Sequence, residues 1–258
     1  MKKIIFFITL LTLSVNGYCQ GMGKLLRLPE FGSGQFVWVI RTGVSLNNVT
    51  GSGVDDTKDN WSKSKWDGDF KNSLGGTISF GFQKSFTKIP LYWGAELGIG
   101  MRGYKSEAEW KYSNKSSISG GYDSHTKESK EKLNAFNTQL SPSIGYQYKL
   151  GNNMAIDAHI GGFVSYDMFG KLKNELADHV YISSKYGTTN KKDKDSNETK
   201  ISDIDKYQNF DAGLNVGIGF WYGHFNIDFS WKRGFIKILD TDSDLYSNNI
   251  ILRLGYAF

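Results

Sequence analysis

Cysteine is nearly missing from this chain. The only one is Cys19, so no disulfide framework can hold the fold together. Proline is almost as scarce, at three residues in 258. The apolar run from Ile4 to Leu13 is too short to cross a bilayer as a helix. A strong charge of one sign is lacking too, because the formal net charge is +5 and falls to +3 once Lys2 and Lys3 are set aside. The basic residues sit among acids, as in "NKKDKDSNETK", which reads as a solvated segment and gives no nucleic-acid patch. What the chain has in quantity is aromatic residues (15%) and 30 glycines, on a mean hydropathy of −0.41. That combination suits many strands with one greasy and one wet face better than it suits long helices.

"MKKIIFFITLLTLSVNGYCQ" has two lysines, an apolar stretch and then small and polar residues, the layout of a secretory signal peptide. Residues 1–19 are expected to be removed by a cut after Cys19, with Gly17 and Cys19 as the small residues at the cleavage positions. The competing reading, an acylated Cys19, is disfavoured by the bulky Tyr18 before it. Residues 20–34 then form a periplasmic tail.

From residue 35 to residue 258 the dominant signal is period two, the mark of strands with unlike faces. Phe36, Trp38, Ile40, Thr42, Val44 and Leu46 alternate with polar or small residues, and seven further runs behave alike. These begin near Leu74, Trp93, Leu140, Met154, Phe210, Phe225 and Ile250. The links at "TKIP", "GNN" and "GH" are short. Those near 47–72, 105–133 and 167–206 are long and polar, and are expected as external loops. Short turns on one side and long loops on the other, joining about eight strands, predict an all-β, up-and-down antiparallel transmembrane β-barrel, with ten strands as the alternative. The alternative comes from "DHVYISSKYG", which could add a hairpin above the membrane, while "KLKNEL" with "ADHV" could form a short helix in the third loop.

The large apolar series has to face lipid, because a charge at the bilayer midplane costs ~2–4 kcal/mol on that face. Lys84 lies near a turn and can snorkel. Pro142 removes a ladder hydrogen bond, and a bulge is expected there. Phe258 closes an alternating run and is expected to pair with the first strand, leaving no edge exposed and placing an aromatic at the interface.

The signal peptide, the alternating strands and the segments "SPSIGYQYKL", "FSWKRGFIKIL" and "LRLGYAF" resemble the PorT-like outer-membrane β-barrel family. The resemblance spans essentially the whole mature chain. It implies insertion into the outer membrane of a Gram-negative envelope, with Phe258 matching the C-terminal aromatic that the barrel-insertion machinery reads. It carries over no catalytic residues.

The inward phase contains Arg41, Glu96, Arg102, Asp157, His159, Asp211, Asp228, Lys232 and Arg253. Cations and carboxylates nearly balance there, as a paired network filling a small lumen requires. A hydrolase built from Asp157, His159 and Ser165 is the competing reading. It is disfavoured because Asp157 and His159, two apart on one strand, need not meet. The other histidines, His125, His179 and His224, show no metal-ligand spacing, so no metal or other cofactor is expected. The inward glycines are expected to make room for bulky neighbours.

Aromatic residues in the polar loops, chiefly Trp61, Trp66 and Trp110, are candidate surface contacts. The resulting expectation is a monomeric, non-enzymatic outer-membrane barrel with a side-chain-filled lumen. It would contact outer-membrane lipid and, through its loops, an extracellular or envelope partner, with no nucleic acid. A small-solute channel or a lipid-modifying enzyme are the alternatives.

Overall fold

The computed structural model describes residues 34–115, 122–184, 187–240 and 244–258. The leader read over 1–19, nearly all of the tail and Tyr186 lie outside these residues. In chain order the elements are β1 (Phe36–Thr50), α1 (Ser52–Lys63), β2 (Trp66–Lys71), β3 (Ser73–Ser85), β4 (Leu91–Lys115), β5 (Tyr122–Lys149) and β6 (Met154–Ser184). β7 (Gly187–Lys200), a single 3₁₀ turn (Ile201–Asp203), β8 (Phe210–Tyr222), β9 (Phe225–Lys237) and β10 (Tyr246–Ala257) follow.

All ten strands belong to one antiparallel sheet, and eight of them close a ring in the order β1-β3-β4-β5-β6-β8-β9-β10. The seam pairs β1 with β10 from Val39↔Ala257 to Thr50↔Tyr246. Trp38 and Phe258 extend it by exchanging both backbone hydrogen bonds, at 3.1 and 2.9 Å. The remaining two strands lie off the ring. β2 pairs the far half of β4, and β7 pairs the far half of β6.

The spans expected as loops are therefore mostly regular structure. β4, β5 and β6 are 25, 28 and 31 residues long, well past the ~9–11 that a tilted membrane strand needs. At about 3.3 Å per residue, β5 beyond Ala135 runs on the order of 40 Å above the ring. "KLKNEL" and "ADHV" lie within β6 and are not a helix. The reason is pairing: β6 has β5 on one side and β7 on the other through this stretch, so ladder bonds replace helical ones. "DHVYISS" does form one arm of a hairpin, with β7 as the other. The first long connection holds α1, with Asp55 in its first turn and Lys63 in its last, complementing the helix dipole.

The bulge expected at Pro142 is also elsewhere. Around Pro142 the register of β5 is unbroken, with Leu140↔Val164 and Ser143↔Gly161 in step, and Pro142 faces Ala95 on β4. The slip falls between Phe136↔Phe169 and Asn137↔Asp167, leaving Met168 as the extra residue. Met168 and Phe169 both point outward in consequence.

The core is layered along the ring. At the short-turn end, Val37, Val39, Ala155, Trp221 and Ala257 form an inward apolar floor. At the other end, Val49, Tyr104, Leu133, Ala135, Ile201, Ile238 and Leu245 form an apolar cap, with Val54 of α1, Phe70 of β2 and Tyr207 packed against it. Ionic side chains fill the space between. Leu133 is buried in the cap, and Leu133→Ala should lower unfolding free energy by about 2–4 kcal/mol, read as a shift in the urea midpoint of tryptophan fluorescence.

Candidate functional site

The inward phase of the strands delivers the expected charged residues to one interior, where every one of them is buried except the partly covered Glu96. Glu96 of β4 is the hub of the lower part. It ion-pairs with Arg41 of β1 and with Arg253 of β10 at 2.8 Å, and accepts a hydrogen bond from Ser79 at 2.8 Å. Arg253 also donates to Asp228 at 2.6 Å, and Arg41 donates through Nε to Asn226 at 3.0 Å. His159 stands between two carboxylates, 3.0 Å from Asp157 and 3.5 Å from Asp228. Asp157 and His159 thus do meet, contrary to the expectation from their spacing. Residues two apart on a strand share a face at about 7 Å, and these two side chains lean toward each other across that interval.

Asp157 in turn accepts from the Tyr92 hydroxyl at 2.8 Å and from the Trp221 indole at 2.6 Å. Lys232 reaches Gln139 at 3.0 Å and lies 5.7 Å from the centre of the Phe163 ring. Nearer the cap, Arg102 binds Asp167 at 2.6 Å, Asp211 at 3.1 Å and the Gln208 carbonyl at 2.7 Å, while Ser247 donates to Asp211 at 2.6 Å.

Several partners went unassigned in the sequence reading: Tyr92, Trp221, Asn226, Asp167 and Tyr207. Tyr92 and Trp221 each stand in the polar phase of their strands, and that position was the available signal. Asp167 continues the odd-numbered inward phase of Ser165 but opens the span 167–206 expected as an external loop.

Ser165 is inward and buried but lies six residues from His159, about 20 Å along β6. The hydrolase trio is not assembled.

Space for these side chains comes from glycines placed opposite them. Arg253 faces Gly43, Asp157 and Asp228 both face Gly219, His159 faces Gly217, and Tyr92 faces Gly145. A Cβ on Gly219 would lie 2.1 Å from an Asp157 oxygen, and one on Gly217 2.4 Å from His159 Nε2.

Beyond the cap, β2, β4, β5, β6 and β7 continue as a five-stranded sheet with two unlike faces. The face continuing the lumen has Trp66, Trp110, Tyr112, Leu176, Val180 and Ile182, with Asp178, Asp193 and Asp195 beside them. The outer face is a lattice of lysines and acids, including the Lys171–Glu198 and Lys130–Glu128 pairs, each at 2.8 Å. Trp66 of β2 and Asp193 of β7 line one groove of about 440 Å³ with Lys127 and Leu176, so the sheet is curved into a gutter.

Trp66 and Trp110 are direct cross-strand partners on this concave face. Trp61, by contrast, is used internally. It stacks on Phe70 at 5.8 Å and covers Gly68, where a Cβ would sit 2.2 Å from the indole, and so docks α1 on β2. Phe258 lies outward among Phe80 and Tyr256.

On the outer face, Glu107 is held at about 2 by hydrogen bonds from Lys105 and Lys71, and Glu175 at about 2 by those from Lys173 and Lys194.

Residues 29–240 match the family model described as outer membrane protein beta-barrel domain. Curated protein sequences give no match. Among solved structures, Ail, the attachment invasion locus protein of Yersinia pestis, is 14% identical over 87% of this chain and 99% of its own, with a TM-score of 0.32. Neisserial surface protein A is 9% identical over 86% and 97%, with a TM-score of 0.34. The outer membrane protease OmpT from Escherichia coli is 10% identical over 89% and 99%, with a TM-score of 0.25. At such identities and scores none of the three bears on what this chain does.

Two predictions follow from the geometry. Gly219→Val should block refolding, seen as loss of the heat-modifiable band on gels. Gly76→Val should refold normally, because a Cβ there meets nothing closer than 3.9 Å. The second concerns acid. A carboxyl depressed from its ordinary 4.5 to about 2 favours the folded sheet above pH 4.5, and that contribution is lost as pH falls toward 2. Amide protection factors in β2 and β7 should drop across this window, modestly because the carboxyls face solvent, while those of β1 hold.

Proposed function

Because this chain belongs to the outer membrane protein beta-barrel domain family, whose model spans residues 29–240, we propose that it is a sealed eight-stranded transmembrane barrel that acts from its extracellular sheet. In this reading the outward apolar band meets lipid, the short turns face the periplasm, and the leader is removed on export. The chain works as a monomer without a cofactor. The nearer likeness to the PorT-like barrels, resting on "SPSIGYQYKL" and "LRLGYAF", belongs to the same reading.

One observation supports a role in surface contact over solute passage: the interior is stacked as apolar floor, ionic layer and apolar cap. A permeating ion would have to pass apolar side chains at both ends, where buried polar neighbours such as Gln83 and Ser247 are uncharged, and displace arginines already bound to carboxylates. Breaking such buried pairs costs about 3–5 kcal/mol each. Catalysis is not part of the reading, since His159 inside the ring is clamped between Asp157 and Asp228 and, among the described residues, no serine or threonine hydroxyl is hydrogen-bonded to it. The interaction partner is expected at the concave gutter, where Trp66 and Trp110 present rigid aromatic area beside carboxylates, a composition common in contact surfaces.

The refolded chain in a planar bilayer should be electrically silent, and Arg102→Ala should be silent too, because the cap above it remains. Steady unitary openings in the parent protein would overturn the sealed-barrel reading and favour a channel.

A further inference from the structure

The outer face of the extracellular sheet has a feature that its own stability does not explain. Lys71, Lys105, Lys132 and Lys173 lie side by side on four adjacent strands, each the direct cross-strand partner of the next. Like charges directly opposite one another destabilise a sheet. Lys171 and Lys200 form a further facing pair on the same surface, one step nearer the ring. Three carboxylates are close by. Glu107 is shared by Lys71 and Lys105, Glu175 pairs with Lys173, and Glu198 with Lys171. A fourth, Asp69 beside Lys71, is held by Lys58, so the six ammonium groups still outnumber the carboxylates and leave the row cationic. Pairs this exposed hold their partners weakly, so the long side chains are free to turn.

The height of the row is informative. Lys105, Lys132 and Lys173 each stand four residues beyond an outward apolar residue, namely Met101, Phe136 and Phe169, which form one cross-strand row at the top of the greasy band. That is about 13 Å along tilted strands. A lysine side chain reaching back toward the ring covers about half of that interval, and the outward positions between are Gly103, Asn134 and Lys171, none of them apolar side chains.

We propose that this lysine row binds the phosphate groups of anionic lipids in the outer leaflet, and so fixes how deep the barrel sits and which lipids surround it. The proposal rests on the transmembrane reading above. Phosphates at the headgroup level would supply the negative charge that offsets the repulsion within the row, and charge complementarity between basic segments and anionic headgroups is worth roughly fivefold in affinity per lysine.

The test uses the refolded full-length mature chain in phosphatidylcholine vesicles containing spin-labelled phosphatidylglycerol or spin-labelled phosphatidylcholine, with the motionally restricted lipid fraction measured for each. The parent protein should retain the anionic lipid at least about fivefold over the zwitterionic one, with the preference shrinking as salt rises. The double variant Lys105→Gln, Lys132→Gln should bring the ratio close to one while keeping its heat-modifiable band. Lys127→Gln with Lys191→Gln, on the concave face, should leave the ratio unchanged.

Equal retention of both lipids by a folded parent protein would overturn the proposal without touching the barrel. A preference surviving the first double variant would overturn it, and so would one lost equally in both variants, which would reflect net charge alone. Exchange of chloride for inorganic phosphate at equal ionic strength should leave the lipid preference in place. Its loss there would assign the row to free phosphate instead.

Discussion

Hydrogen bonding between β1 and β10 is the interaction on which everything else rests. A strand edge in hydrocarbon would leave a row of peptide groups without partners, each costing several kcal/mol, so a membrane sheet has to close on itself. Closure at eight strands then dictates the interior. The ring is only wide enough for side chains, so whatever points inward must pack against itself. That requirement accounts for the arginines bridged by Glu96, for His159 between two aspartates, and for the glycines opposite Arg41, Arg253, Asp157, His159 and Tyr92. Charge alone would not achieve this fit. A carboxylate can neutralise an arginine inside the ring where the adjacent strand leaves room, as Gly43 does beside Arg253 and Ala135 beside Arg102.

Period two made the ring legible from sequence, because one phase of each strand had to meet apolar surroundings and the other had to meet itself. Arg41, Glu96, Asp228 and Arg253 were readable as inward for that reason alone, before any contact was known. Their pairing was not, since registers between strands depend on turns whose geometry is not written in the local pattern. Asp157 and His159 illustrate the limit: spacing gave them a common face, but the lean of the two side chains toward each other, with Asp228 of β9 as the second partner of His159, is not written in it.

The half beyond the ring was less legible, again for a physical reason. Beyond the ring both faces of a strand can be polar, so "KDKDSNETK" shows no apolar alternation and reads as a loop. "KSEAEWKY" does alternate, with Lys105, Glu107, Glu109 and Lys111 opposite Ser106, Ala108, Trp110 and Tyr112, a signal masked by its polar surroundings. They are strands because long neighbours supply hydrogen-bond partners, which is tertiary information. The same holds for Trp61. An aromatic residue in a polar segment looks like a contact waiting for a partner, yet its partner is Gly68 of the next element. Trp66 and Trp110, one facing the other across β2 and β4, stay at the gutter.

The single extra residue at Met168 governs more than its own neighbourhood. Below it, odd-numbered side chains of β6 point into the ring, among them Asp157, His159, Ser165 and Asp167; above it, even-numbered ones do, from Leu172 to Leu176. The bulge is therefore a parity switch set between two differently coded halves of one strand. Loss of that one residue from the chain would leave the ring readable while turning the upper half of β6 inside out, with lysines aimed at the apolar cap and leucines at solvent. A length change of one, at this position, is a greater alteration than most substitutions in the protein.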